Sequence, residues 1–236
     1  DGNVISNAGA GIFVKNSSDA TISGNFIGYK DQGNTPAHTD NIGKRGIDVI
    51  NSDNVLIGAN PDNENALSGN TITQTGFTGI RVKSSDGAIA GDNTISDTGT
   101  SGITVDDSGN ASVLNNKVNK TEGSGFWINN AENANINNNT IYDVGNNPER
   151  QTNDGIHVKD SNGTTISGNF IGFEDEDKTY VGPDNIGERG INVINSDNVL
   201  IGSDPDNENA LSGNTITQTG FTGLRVKSSD GAIAGD

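Results

Sequence analysis

Apolar residues recur along this chain as pairs split by a single residue, and each pair follows a glycine. The motif runs Gly11-Ile12-Phe13-Val14, Gly46-Ile47-Asp48-Val49, Gly79-Ile80-Arg81-Val82 and Gly102-Ile103-Thr104-Val105. It continues as Gly125-Phe126-Trp127-Ile128, Gly155-Ile156-His157-Val158, Gly190-Ile191-Asn192-Val193 and Gly223-Leu224-Arg225-Val226. About ten residues after each first apolar position comes another: Ile22, Ile57, Ile89, Val113, Ile136, Ile166, Ile201 and Ile233. A third apolar residue closes most units, at Ile27, Ile95, Val118, Ile141 and Ile171. Ile80, Ile103 and Phe126 are spaced 23 residues apart. The helical period is absent, and alternation is confined to runs too short to bury a face alone. Stacking successive units lays Ile on Ile and Val on Val and makes one continuous core. The pattern predicts an all-β parallel solenoid of about eight coils, each a strand, a turn, a strand, a turn and a strand.

Asn or Asp stands three residues beyond seven of these second apolar positions: Asn25, Asn60, Asp92, Asn116, Asn139, Asn169 and Asp236. This column is expected in the turn before the third strand, where Asn tolerates left-handed backbone angles and its amide can bond the next coil. A longer period overlies the coils. Residues 145–236 repeat residues 1–92 at an offset of 144 without a gap. Over 40–92 against 184–236, five of 53 positions differ: Lys44/Glu188, Asp48/Asn192, Ala59/Ser203, Asn60/Asp204 and Ile80/Leu224. The super-repeat, 1–144 and a partial copy 145–236, holds five coils within one continuous domain. At one strand spacing per coil it advances roughly 24 Å, and the whole chain about 40 Å. Tyr29–Lys44 with its copy Phe173–Glu188, Asn60–Ala66 with its copy Asp204–Ala210, and Gly145–Asp154 read as loop insertions. No capping element is visible in the sequence, so a piece of a longer repetitive protein is expected.

Particular runs carry a family resemblance. Gly24-Asn25-Phe26-Ile27-Gly28, the run from Gly46 to Gly58, and Ala66-Leu67-Ser68-Gly69-Asn70-Thr71-Ile72 resemble repeats of right-handed parallel β-helices of the pectate-lyase-like superfamily. More narrowly they are similar to repeats of very long bacterial secreted and surface adhesin-like proteins. The chain departs from that repeat at Gly58-Ala59 and Gly202-Ser203, where paired glycines are expected. The resemblance implies the fold across nearly the whole chain. It leaves activity open among lyases, hydrolases, epimerases, tailspikes and adhesins, because fold does not dictate function.

Composition narrows the partners. The net charge is -17 and the sequence pI about 4.2. Nucleic acid and anionic membranes both call for a positive footprint, so neither is an expected partner. No apolar run approaches the ~18 residues of a membrane-spanning helix, and Asp1 opens no signal peptide. The sequence holds no Cys and no Met, which excludes disulfides and thiolate metal sites. An acidic, cysteine-free chain rich in Asn, Gly, Ser and Thr reads as bacterial and extracellular or cell-surface.

Candidate chemistry lies on the outward column of the first strand: Phe13, Asp48, Arg81, Thr104, Trp127, His157, Asn192 and Arg225. Lys15, Lys83, Asp106, Asn129, Lys159 and Lys227 point outward next to it. The resemblance implies that lyases and epimerases of this fold use such a face, with a base and a neutraliser for the uronate. Asp48 beside Arg81 and Lys83 could be read so, or as a solvated charge pair across coils. The copy carries Asn192 in place of Asp48 and Phe13 in place of His157, so no residue is assigned a catalytic role. Trp127 and His157 on adjacent coils, with Arg81 and Arg225, are the expected glycan contacts, since exposed aromatic rings stack on sugars. The acidic loops offer oxygen ligands for Ca2+ at Asp62 and Glu64, at Asp206 and Glu208, and at Asp175 and Asp177. The same loops serve equally as solvated, charge-rich connections. No cofactor is required by any motif. The sequence favours a non-catalytic structural or adhesive segment, a stalk or self-associating filament of a surface protein. The alternative is a polysaccharide lyase, epimerase or glycan-binding module.

Overall fold

The computed structural model describes residues 2–29, 42–60, 67–147, 149, 152–174, 185–203 and 212–235. Twenty-four short strands among these residues form three parallel sheets of eight strands each. Each coil contributes one strand to each sheet, as in Ile80–Lys83, Ile89–Gly91 and Thr94–Ile95. The result is a right-handed parallel β-helix, as the apolar spacing predicts. The first-strand sheet is in register by coil, pairing Ile80 with Ile103 and Ile103 with Phe126. Its inward columns are fully covered in the inner coils, with Ile47, Ile80, Ile103, Phe126, Ile156 and Ile191 all at 0% exposure. Each such side chain contributes about 1.5–3 kcal/mol of burial.

The glycine that precedes the first strand is required by close approach. A Cβ on Gly79 would lie 2.8 Å from the Gly102 carbonyl oxygen, and one on Gly125 2.6 Å from that of Gly155. The third-strand isoleucine of the same coil, Ile95 at 2.4 Å or Ile141 at 2.5 Å, and the next coil's backbone together occupy the space, so the coil can pack this tightly only where no side chain intervenes.

Two buried polar ladders hold the corners. Between the second and third strands, Asn25, Asn70, Asn93, Asn116, Asn139 and Asn169 are each 2% exposed or less. Each donates its Nδ2 to the Oδ1 of the next, for example Asn93 to Asn116 at 3.0 Å and Asn116 to Asn139 at 3.0 Å. The backbone N–H of Asn93 donates to the same Asn116 oxygen. Between the first and second strands, the N–H of Ser52 donates to the Ser85 hydroxyl and that of Ser85 to Ser108, both at 3.0 Å. The ladder resumes from Ala131 through Ser161 and Ser196 to Ser229. The sequence pattern had no reading of this serine column.

Three expectations are corrected. The Asn column passes through Asn70 and Asn93, not Asn60 or Asp92. The left-handed backbone belongs to the residue before the ladder, as at Asp92 (φ 54), Asn115 (φ 54) and Asn138 (φ 55). In the second-strand sheet Ala90, not Ile89, is the inward residue, because Gly58 pairs with Gly91 and so Ile57 with Ala90. Finally, Ile42 and Ile186 belong to the coil and not to insertions. Both are fully buried and continue a column of bridges from Ala8 through Ile42 to Thr75 and from Val144 through Ile186 to Thr219.

Asn116→Ala removes the acceptor for two Asn93 donors and leaves the Ala90 carbonyl without its Nδ2 donor at 2.9 Å. The expected loss is on the order of 3 kcal/mol, read as a lower urea midpoint at unchanged slope. Ser112→Ala, on the outward side of the second strand in the same coil, should change stability by less than about 0.5 kcal/mol.

Candidate functional site

The outward side of the first-strand sheet concentrates charge of one sign. Seven of the chain's 14 Lys and Arg lie in its strands: Lys15, Arg81, Lys83, Lys159, Arg189, Arg225 and Lys227. Only Asp48 and Asp106, of 31 Asp and Glu, lie there. On a chain of net charge -17 this sheet is the cationic surface. Some of the charge is answered locally. Lys83 reaches Asp106 at 2.9 Å and Asp107 at 3.5 Å, and Lys159 reaches Asp160 at 2.8 Å. Lys15, Arg225 and Lys227 make no ion pair among the described residues.

At the centre of this sheet is a group only partly legible beforehand. Trp127 and His157, register partners on adjacent strands, stack with ring centroids 4.4 Å apart and an interplanar angle of 7°. Trp127 is half-buried. His157 is buried at 2% exposure, so the expectation of an exposed imidazole is corrected. It points away from the core as the strand alternation requires, but the indole lies against it. Its Nδ1 meets Oδ2 of Asp154 at 2.7 Å. Asp154 is itself fully buried and is the anchor of the group. It accepts from Asn192 Nδ2 at 2.8 Å, from the Arg189 backbone N–H at 3.2 Å and from Arg189 Nη1 at 3.4 Å. Arg189 Nη1 also bonds Glu188 at 2.6 Å. A buried carboxylate is tolerated only when donors compensate its lost hydration, and four do so here.

The first repeat builds the same position differently. Ala10 stands for Asp154, Phe13 for His157 and Asp48 for Asn192. There Arg81 grips Asp48 through Nε at 2.7 Å and Nη2 at 2.9 Å, with Arg45 at 3.6 Å. Asp48 is 7% exposed, so this is a partly buried bidentate pair and not a solvated one. Phe13 is 56% exposed. The copies have therefore exchanged a carboxylate between coils rather than lost one. Asp154 went unnoticed in the sequence because it closes a stretch read as an insertion. The joint change at 10/154, 13/157 and 48/192 was the signal available.

Arg81 and Trp127 lie two strands apart with Thr104 between them. Arg225 is the register partner of Asn192 and is half-buried. The expected Ca2+ ligands Asp62, Glu64, Asp206, Glu208, Asp175 and Asp177 lie outside the described residues. Among the described residues no three His, Cys, Asp or Glu side chains converge.

Residues 1–172 match a family model described as periplasmic copper-binding protein (NosD). No curated protein matches the sequence. Among solved structures the fold is similar to the crystal structure of the periplasmic alginate epimerase AlgG, at 17% identity and a TM-score of 0.53, over 93% of this chain and 47% of that one. It is also similar to the enzymatically active domain of tailspike protein 2 of bacteriophage CBA120, at 13% identity and a TM-score of 0.61, over 95% of this chain and 32% of that one. The chain spans less than half the length of either, and at these identities the likeness is one of fold. The donor set does not suit a copper centre. Copper sites draw on Cys, Met and imidazole ligands, whereas this sequence has no Cys, no Met and two His. The described imidazole already commits its Nδ1 to Asp154.

Two outcomes follow. His157→Phe leaves Asp154 short of a donor and should cost about 1–3 kcal/mol. Adding Asp154→Ala, which restores the first repeat's pair of residues, should recover part of that loss, a coupling of about 1 kcal/mol in urea melts. The second concerns acid. Burial acts to raise the Asp106 carboxyl, but hydrogen bonds from Asn129 and Lys83 outweigh it and hold it below the usual range. The Lys159 hydrogen bond, against a smaller opposing effect of burial, likewise lowers Asp160. Both contributions are fully present above about pH 4 and are lost as pH falls through the depressed folded values. Asp106→Asn should therefore lower the urea midpoint near neutrality and flatten its decline at acid pH.

Proposed function

The chain belongs to the NosD family, and we propose that it is an extracytoplasmic glycan-recognition β-helix whose first-strand sheet receives an acidic polysaccharide. The observation that carries this reading is the gathering of half the chain's cationic side chains, together with its single Trp, on one sheet of an otherwise acidic molecule. A polyanion is repelled by the rest of the surface and held by this face, so electrostatics sets both site and orientation. The half-buried indole of Trp127, braced by the His157 ring, offers a rigid apolar plate for a sugar ring. Register-locked strands set the side chains at ~4.8 Å intervals, a ruler for an extended polymer lying along the axis. The likeness to an alginate epimerase supports the same direction, because its named substrate is an acidic polysaccharide and the shared feature is the coil. Together these favour glycan recognition over a stalk or filament role.

A catalytic version has one observation in its favour. Asp154 on Nδ1 would fix the His157 tautomer and leave Nε2 as a base. Against it, the His157 side chain is 3% exposed, so a sugar carbon could reach it only if Trp127 moved aside. Binding without turnover is the conclusion drawn.

Titration with polygalacturonate, alginate and neutral dextran, followed by fluorescence of the single Trp, tests the reading. The acidic polymers should quench or shift the emission with an affinity that falls steeply as salt is raised, and dextran should not. Trp127→Ala, followed by calorimetry, should lose about tenfold or more in affinity. An emission unchanged by every acidic polymer, with no heat of binding, would overturn the proposal. Release of unsaturated uronate during incubation would establish turnover instead.

A further inference from the structure

The corner between the second and third strands is bordered by a groove of about 570 Å³. Asp92, Asn115 and Asn138 form one side of it. The outward residues of three successive third strands, Lys117, Thr140 and Phe170, form the other. Among the described residues its lining holds one cation and one carboxylate, so it is uncharged overall on a molecule of net charge -17. Asp92, Asn115 and Asn138 each precede a member of the asparagine ladder, at φ 54, 54 and 55. Glycine holds the same turn at Gly24 and Gly168, both at φ 62. The turn itself therefore asks for no side chain, and glycine adopts it with less strain. The side chains that stand there are unused by the fold. At the first corner, exposed left-handed asparagines bond along the axis, Asn130 Nδ2 to Asp107 at 2.9 Å and Asn51 Nδ2 to Asn16 at 3.4 Å. Asn115 and Asn138 also lie one coil apart, yet their amides make no hydrogen bond among the described residues, and neither does the Asp92 carboxylate or the Thr140 hydroxyl. Phe170 is half-buried with no ring partner among the described residues, whereas its counterpart Phe26 lies edge-on to Tyr29.

We propose that this groove is a separate binding site for a neutral, extended oligosaccharide. Three features select that ligand. Side-chain amides and a hydroxyl present donors and acceptors together, which suits sugar hydroxyls, each of them both donor and acceptor. Phe170 supplies an apolar surface for the carbon face of a pyranose ring. The balanced charge of the lining gives a polyanion nothing to offset the acidic surface around it, and gives a polycation a single carboxylate. Successive amides stand one strand spacing apart, ~4.8 Å, so a chain lying along the axis meets Asn115 and Asn138 in turn. From Asp92 to Gly168 the column covers four coils, about 14 Å, which is the scale of a short oligosaccharide. The ligand shares no charge with the acidic polymer of the first-strand sheet, so either site can stand without the other.

Calorimetry with cellotetraose and with tetra-N-acetylchitotetraose tests the site, with the side-chain amide signals of Asn115 and Asn138 followed by heteronuclear NMR. One or both of these extended neutral sugars should bind and shift both amide signals, with an affinity that added salt leaves unchanged. Asn115→Gly combined with Asn138→Gly installs the residue that the same turn uses at Gly168. The double variant should keep its melting curve and lose about tenfold or more in affinity. Phe170→Ala should weaken binding to a similar degree. Trp127→Ala should bind the neutral sugar as tightly as the wild type. Heat from neither sugar, binding that leaves both amide signals in place, or binding that survives the double glycine exchange would overturn the site. Loss of neutral-sugar binding in Trp127→Ala would assign that binding to the first-strand sheet and overturn the site as well. Each of these results leaves the titration with acidic polymers to be judged by itself.

Discussion

Everything in this molecule depends on corners that are satisfied only by the next coil. At two of the corners a backbone N–H points along the axis and finds a side-chain oxygen one coil on, except where Ala131 interrupts the serine column. The serine and asparagine ladders supply it, in Ser52 to Ser85 at one corner and Asn93 to Asn116 at the other. Both corners are buried, so water is no substitute. A coil that slipped by one residue would orphan these groups and turn its Ile column outward at the same time. Register is thus fixed twice over, by polar satisfaction and by apolar stacking. The glycine before the first strand then admits the close approach that both require.

That rigidity frees the outer surface. Between 40–92 and 184–236 the inward change is conservative, Ile80 to Leu224, while outward changes alter charge, as in Lys44 to Glu188 and Asp48 to Asn192. The same backbone therefore carries an Arg81–Asp48 ion pair in one copy and an Arg225–Asn192 register pair in the other. Burying Asp154 required four donors from three neighbouring residues, which ties the Trp127 platform to Arg189 and Asn192. The central part of the sheet acts as one polar unit, and no member of it can be altered without disturbing the rest.

Much of the fold was legible, for a physical reason. Apolar side chains in parallel stacked strands must recur at the coil length, so Ile80, Ile103 and Phe126 announced the sheet by spacing alone. The Asn ladder was misplaced at Asn60 and Asp92 because spacing was counted from the second strand, across segments of differing length. Counted from Asn116 in steps of one 23-residue coil, it falls on Asn93 and then Asn70. Ile89 was preferred to Ala90 because hydrophobicity was taken to mark the inward side, whereas glycine pairing at Gly58 and Gly91 sets it. The site was less legible than the fold. Alternation tells which way His157 points, but not that Trp127 will cover it. Nor does it tell that Asp154, three residues earlier and before the strand, will turn back to meet it.

The asparagine ladder also gives the molecule a direction. From Asn3 to Asn169 each side-chain amide donates one N–H to the oxygen of the next, C-terminal amide, while from Asn70 on a second N–H goes back to a carbonyl of the preceding coil. The side-chain dipoles are therefore aligned along the axis rather than cancelled, a one-way wire of the kind a helix makes from its backbone. The upstream end of such a ladder therefore presents an amide oxygen, and its downstream end an amide N–H. A coil joined at either end completes this wire only if it enters in the same sense, so the ladder is a vector that forbids inversion of any repeat within it.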